Sequence, residues 1–184
     1  RRDRVPAVPA IGYTLPMDSV RALLDTGTYV LKIKVGHMGD EAEMLAKDMA
    51  WLTQLHAIAR EVETDMTECG APVYYLDANG RYTEKDSMRR LLDHADDVGM
   101  LERVILVEEP FEEGLVIDVG DLPARFAADE SLHRPEDVAT RAQQGYEAMA
   151  IKPAGKTLSM AFRMVEATTE VGAIPFVADN ACFV

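Results

Sequence analysis

The chain has 184 residues and a formal net charge of −13, with 32 acidic and 19 basic side chains. This acidic excess argues against a nucleic-acid-binding surface, which needs a basic stripe, and the absence of any run of about 18 apolar residues predicts no membrane-spanning helix. The two cysteines, Cys69 and Cys182, follow no disulfide or zinc pattern, so we expect a cytoplasmic protein.

Short apolar segments alternate along the chain with segments of helical period. The segments with strand character are 8–14, 29–36, 71–80, 103–110, 125–131, 147–153 and 174–180. Helices are predicted between them, at 18–24, 40–62, 83–99, 135–145 and 156–172. We expect Asp40 with Glu43, and Thr83 with Asp86, to cap the second and third helices. The segment between the fourth and fifth strands, 111–123, has only a weak helical signal.

This alternation, without any hairpin signal, predicts parallel strands joined by crossover helices. Two architectures fit it, an open doubly wound sheet and a (β/α)₈ barrel. Charged residues stand near the C-terminal ends of consecutive strands: Lys34, Asp77, Glu108 with Glu109, Asp129 with Glu130, Lys152 and Asp179. All strand ends of a barrel meet at one mouth, where active sites lie, so the pattern favours the barrel.

Three of these acids, Asp77, Glu108 and Asp129, would repel one another unless a cation lay between them. Oxygen donors without His or Cys suit Mg²⁺. Lys34 and Lys152 lie on strands to either side of the three acids, so their amines could act on opposite faces of one carbon. A lysine base needs a lowered pKa, which desolvation, a metal charge and nearby Lys32 would each favour for Lys34.

Five motifs carry a resemblance to a known family. "LKIKVG", "YLDANG", "LVEEP", "AADES" and "AIKPAGK" occur in this order between about Val8 and Asn180. The chain resembles the enolase superfamily, in the branch of the mandelate racemase and muconate lactonizing enzyme family that has a lysine on strand two and a lysine on strand six. The resemblance implies an α/β fold, the TIM-like (β/α)₈ barrel of the enolase type.

The resemblance also implies a role for each motif residue. Asp77, Glu108 and Asp129 would bind one Mg²⁺ ion. Lys34 and Lys152 would be the acid and base on opposite faces, with Lys32 near the substrate carboxylate. Asn79 and Asp179 would lie next to the metal ligands without binding the ion themselves. Glu108 is preferred to Glu109 because of the family's E-x-P pattern, since strand alternation alone does not decide between them.

The implied reaction is removal of the proton α to a substrate carboxylate, through an enediolate that Mg²⁺ stabilises. Racemisation or epimerisation, cycloisomerisation, and elimination by a lyase or dehydratase all fit these residues. We expect a small carboxylate as substrate, a homo-oligomer, and neither nucleic acid nor membrane as partner. No histidine lies near strand seven, which disfavours the branch with a Lys/His pair. Lys156 is a weaker rival to Lys152, and His56 is expected to pack in the core.

The family has an N-terminal capping domain and an eighth strand that this sequence does not contain. We therefore expect residues 1–184 to form a partial barrel of about seven strands with open edges and with poor activity in isolation. Two alternatives remain open. One is a catalytically inactive, truncated barrel that serves as a structural or assembly subunit. The other is a barrel lyase that forms a Schiff base on Lys152.

Overall fold

The computed structural model describes residues 6–177, which form one seven-stranded parallel sheet with helices on one face. The strands are β1 (Ala10–Ile11), β2 (Val30–Lys34), β3 (Val73–Asp77), β4 (Val104–Glu108), β5 (Phe126–Ala128), β6 (Ala148–Ala150) and β7 (Ile174–Phe176). The α-helices are α1 (Met17–Asp25), α2 (Glu41–Ala59), α3 (Lys85–Asp97), α4 (Pro135–Gln143) and α5 (Leu158–Glu170). Short 3₁₀ turns cover Leu101–Arg103 and Pro153–Gly155.

Each strand pairs with the next one in the chain, so the spatial order is the sequence order. The strand register aligns the charged ends: Lys34 is opposite Asp77, and Asp77 is opposite Glu108. Since side chains alternate between faces along a strand, these three residues lie on one face of the sheet, at its carboxyl edge.

The sheet is strongly curved toward that face. Tyr75 on β3 and Phe176 on β7 are four strands apart, about 19 Å in a flat sheet, yet their ring centroids are 6.2 Å apart. Both belong to a small apolar cluster that also contains Leu106, Ala127 and Ala148. We call this the concave face. The cluster fills the inside of a barrel that, within residues 6–177, is open between β1 and β7.

The other, convex face packs against the helices and forms the main core. Its largest fully buried side chains include Leu31, Ile33, Tyr74, Leu76 and Phe126. Between β4 and β5, however, the chain forms no helix within this described segment. Val119 and Leu122 of that connection are buried in the main core. The segment 111–123, which has only a weak helical signal in the sequence, is therefore irregular in the structure.

The two predicted helix caps have different outcomes. Asp40 caps α2, since its Oδ1 accepts a hydrogen bond of 2.9 Å from the backbone N of Glu43. The prediction that Thr83 with Asp86 caps α3 is wrong, because α3 has Glu84 at its N-cap position without a side-chain cap. Instead, the carboxylate of Glu41 on α2 accepts from the backbone N of Thr83 at 3.2 Å and of Glu84 at 3.0 Å.

The strands are shorter than predicted. β1 is confined to Ala10–Ile11, inside the predicted 8–14, because Pro9 has no N–H to donate and the chain turns after Gly12. The predicted strand 174–180 ends at Phe176, and Asp179 lies outside the described residues. Among the described helices, none combines the length and apolar character needed to cross a membrane.

Candidate functional site

Strands β2, β3 and β4 bring two lysines and two acids together at the carboxyl edge of the concave face. The Lys32 ammonium lies 2.8 Å from Asp77 Oδ2 and also donates to Glu108 Oε2. The Lys34 ammonium donates to the same Asp77 oxygen at 2.6 Å. Asp77 and Glu108 are almost completely buried, at 1% and 0% exposure. The two carboxylates are therefore held close together by a shared ammonium group.

Tyr75 also contacts the Lys32 ammonium. The Lys32 ammonium lies 4.5 Å from the centroid of the Tyr75 ring and 3.5 Å from its hydroxyl oxygen. The ring face attracts a cation, so Tyr75 holds the ammonium toward the carboxylates. Sequence reasoning missed this residue, although its position two residues before Asp77 places it on the same face.

The structure separates the roles of the two consecutive glutamates. Glu108 stands on the concave face with Lys32. Glu109 has a left-handed backbone with φ of 35°, and its Oε2 accepts from the backbone N of Asp129 at 2.5 Å and from the Ser131 hydroxyl at 3.0 Å. Glu109 therefore joins the end of β4 to the loop after β5, and Glu108 is the one that faces the other candidate residues.

The loops after β5 and β6 supply the other half of the site. The Lys152 ammonium lies 2.5 Å from Asp129 Oδ2 and 3.8 Å from Glu130 Oε1. Asn79, in the loop after β3, accepts from the Lys34 ammonium at 2.5 Å and donates to Glu130 Oε1 at 2.9 Å. A continuous network of polar contacts thus connects the lysine of β2 with the lysine that follows β6.

Burial and neighbouring charges together set the pKa values of these groups. Burial raises the pKa of Glu108 to about 8; the neighbouring Asp77 charge adds to this effect and Lys32 opposes it. Burial also opposes ionisation of Asp77, but Lys32 and Lys34 outweigh it and lower the pKa of that carboxyl. Burial alone would lower the pKa values of Lys32 and Lys152, yet the adjacent carboxylates raise both. The network therefore favours ammonium groups over neutral amines.

Several carboxylate oxygens in this site lack a partner. Glu108 Oε1 and Asp129 Oδ1 are buried, and no described group donates a hydrogen bond to them. Such oxygens, in an all-oxygen donor set, have the chemistry that a hard divalent cation requires. Within residues 6–177, however, no three His, Cys, Asp or Glu side chains are grouped as a metal site. The ammonium groups of Lys32 and Lys152 contact the other oxygens of Glu108 and Asp129, namely Oε2 and Oδ2.

Two further candidates from the sequence are His56 and Lys156. His56 is buried, with Nδ1 2.9 Å from the Tyr74 hydroxyl, so its predicted place in the core is confirmed. Lys156 lies beyond the 3₁₀ turn that follows Lys152, next to the start of α5.

Sequence reasoning also missed a buried carboxylate beneath the loop after β2. Asp48 of α2 has 0% exposure. It accepts from the backbone N of Gly36 at 2.7 Å, from the Tyr82 hydroxyl at 2.5 Å and from Nδ1 of His37 at 2.5 Å. This carboxylate fixes the loop that directly follows Lys34. Its only signal in the sequence is an acid on the helix face that also carries Leu45 and Leu52.

Solved structures with the same fold include three enzymes. A mandelate racemase/muconate lactonizing enzyme from Roseiflexus sp. superposes with a TM-score of 0.78 at 21% identity, over 95% of this chain and 48% of that one. A muconate lactonizing enzyme from Pseudomonas putida gives 0.67 at 18%, over 91% and 45%. An L-Ala-D/L-Glu epimerase gives 0.69 at 17%, over 95% and 49%.

These likenesses confirm the expected fold, the barrel portion of mandelate racemase and muconate lactonizing enzymes. The chain spans about half the length of the structures that it matches. No protein-family profile and no curated protein matches the sequence.

Proposed function

We propose that this chain provides the catalytic lysines and carboxylates of an enzyme that removes the proton α to the carboxylate of a small substrate. One observation carries this function: Lys34 and Lys152, far apart in sequence, belong to one polar network at the carboxyl edge of the concave face. That edge is where active sites lie in barrels of this type. The enzymes with the same fold include an epimerase and muconate lactonizing enzymes.

In the proposed reaction, the two lysines act as the acid–base pair. A neutral amine of one lysine accepts the α-proton, and the ammonium of the other returns a proton from the opposite side when the product is an epimer. Lys32 neutralises negative charge on the substrate side of the site. The Glu130 carboxylate, 3.8 Å from the Lys152 ammonium, favours the protonated form of Lys152, which suits the proton-donating role.

Asp77, Glu108 and Asp129 are the proposed ligands of one Mg²⁺ ion. Their fit rests on the unpartnered oxygens of Glu108 and Asp129 and on the raised pKa of Glu108, which burial and the neighbouring Asp77 charge cause. A bound Mg²⁺ would supply positive charge there and attract a substrate carboxylate. Binding would require the Lys32 and Lys152 ammonium groups to give up contacts with these acids.

The Schiff-base alternative is less well supported. A Schiff base forms from a neutral amine, whereas the Lys152 amine is paired with Asp129 at 2.5 Å and its pKa is raised. Borohydride treatment with a carbonyl substrate would trap an adduct on Lys152 if that alternative were correct. The choice among racemisation, cycloisomerisation and elimination, the homo-oligomeric state and the cytoplasmic location stay predictions.

Deuterium exchange tests the proposed chemistry. The full chain with Mg²⁺ in D₂O is incubated with mandelate and L-Ala-L-Glu as probes, and loss of the α-proton signal is followed by NMR. We expect slow exchange with at least one probe, lost in both Lys34→Ala and Lys152→Ala and kept in Lys47→Ala, which changes an exposed lysine of α2. Exchange that survives in both site variants would refute the assigned roles, and no exchange with any probe would refute the function for this chain.

Calorimetry with Mg²⁺ alone tests the ligands without any substrate. We expect binding by the parent chain and its loss in Asp129→Asn, because the amide removes the charge and one of the oxygens. Glu147→Gln, which changes an exposed acid paired with Arg125, is the matched control and is expected to bind as the parent does. Equal Mg²⁺ binding by Asp129→Asn and the parent would exclude Asp129 as a ligand.

A further inference from the structure

Glu130 is an acid in the candidate site to which no role has been assigned. It lies one residue after Asp129, in the loop that follows β5. Its Oε1 accepts from Asn79 Nδ2 at 2.9 Å and lies 3.8 Å from the Lys152 ammonium. Its Oε2 is buried and has no hydrogen-bond partner among the described residues. Burying a charge without partners is unfavourable. The Asn79 amide and the Lys152 ammonium beside Oε1 therefore stabilise this partly buried carboxylate.

Asn79 is held in one orientation by its neighbours. Its backbone has φ of 46°, in the left-handed region that asparagine tolerates better than most residues. Its backbone N donates to Asp77 Oδ1 at 3.1 Å. Its side-chain oxygen faces the Lys34 ammonium, so its NH₂ group must face the opposite way, toward Glu130. A rotated amide would place NH₂ against the ammonium, and two donors repel.

We propose that Asn79 and Glu130 form a positioning bridge, which holds the amines of Lys34 and Lys152 at a fixed separation across the mouth of the barrel. The bridge runs from Lys34 through the Asn79 amide and Glu130 Oε1 to Lys152. Lysine side chains are long and have many rotamers, so two amines that must address one carbon need such a restraint. Its importance for catalysis rests on the proposed function, although the contacts themselves do not.

Three variants separate the bridge from a merely local contact. Glu130→Ala removes the acceptor of Asn79 and the charge near Lys152. Glu130→Gln keeps an oxygen for Asn79 but removes the charge. Asn79→Ala breaks the link to Lys34 and leaves Glu130 in place. The matched control is Glu147→Gln, an exposed acid outside the site.

Chemical labelling measures the bridge without a substrate. The folded chain reacts briefly with acetic anhydride at one pH, and mass spectrometry gives the acetylation rate of each lysine relative to exposed Lys47. In Glu130→Ala we expect both Lys34 and Lys152 to react faster by about threefold or more, the change in rate that loss of one modest hydrogen bond produces. In Glu130→Gln, Lys34 should return to the parent rate while Lys152 stays fast. If Glu130→Ala alters Lys152 alone, or neither lysine, the bridge does not exist.

Exchange of the α-proton tests its catalytic importance. With a probe that the parent chain exchanges, Glu130→Ala should lower kcat by about tenfold to a hundredfold with little change in KM, as expected for misplaced reacting groups. An unchanged kcat would overturn the positioning role. If the parent exchanges no probe, the proposed function fails, while the labelling rates still decide whether the bridge holds the two lysines. Should Glu130→Ala not fold, the two links are tested separately: Asn79→Ala should speed the acetylation of Lys34 and Glu130→Gln that of Lys152, and parent rates in both variants would refute the bridge.

Discussion

The strongest test of the architecture around the site is removal of the Asp48 carboxylate. Asp48→Ala leaves the Tyr82 hydroxyl and the Gly36 N–H without an acceptor, and both donors lie beside a carboxylate with 0% exposure. Each buried, unsatisfied donor costs about 1–3 kcal/mol, so we expect the free energy of unfolding to fall by about 3–5 kcal/mol. For a chain of this length, 1 kcal/mol shifts Tm by about 2–4 °C, which predicts a Tm lower by about 10 °C.

Urea unfolding followed by circular dichroism measures this difference. Asp48→Asn should destabilise less, by about 2 kcal/mol, because the amide keeps one oxygen but turns a donor toward another donor. The control is Asp93→Ala, an exposed acid of α3, which should stay within about 0.5 kcal/mol of the parent. A loss below about 1 kcal/mol in Asp48→Ala would mean that water or a shifted loop satisfies these donors, and the reasoning would be wrong.

Two further predictions concern the helices and turns. Glu41→Gln should lower the free energy of unfolding by about 1 kcal/mol at pH 7, since Glu41 accepts from the N-terminus of α3. Burial opposes ionisation of Glu41, but hydrogen bonds led by that from Thr83 outweigh it and lower its pKa. The ionised form therefore stabilises the fold above the ordinary pKa of glutamate, and the difference between parent and variant in urea titrations should shrink steadily as the pH falls below that pKa and through the lowered pKa of Glu41; a difference that does not shrink with falling pH would contradict this assignment. Gly145 and Gly99 both have positive φ, but a Cβ on Gly145 would lie 2.5 Å from the Gly120 N, whereas one on Gly99 meets nothing within 4 Å. Gly99→Ala should therefore cost about 1 kcal/mol and Gly145→Ala at least about twice that; equal Tm losses would exclude the clash.

The polar network also shows which features of the candidate site are local in sequence. Lys32 and Lys34 share a face because strand alternation has a period of two, and this could be read directly from the "KIK" tripeptide. The pairing of Lys32 with Glu108, and of Asn79 with Glu130, joins residues 76 and 51 positions apart. No local pattern predicts which oxygen meets which nitrogen across such separations.

The choice between Glu108 and Glu109 makes the same distinction. The two residues are consecutive in the sequence and have the same side chain. The left-handed backbone at Glu109 and its hydrogen bonds to the loop after β5 turn its carboxylate away from Lys32. That geometry exists only when β5 lies beside β4, so strand alternation alone could not separate the two glutamates, and the preference for Glu108 came from the family pattern.

By itself, the sequence determined the alternation of strands and helices and the charged residues near the strand ends, because periodicity and turn residues act over a few neighbouring positions. Tertiary structure decided that the sheet curves until Tyr75 and Phe176 meet. It also decided that Glu41 rather than Thr83 caps α3, and that Asp48 anchors the loop after β2. Each of these contacts joins segments far apart in the chain, and its free energy is gained only when the folded core has already brought them together.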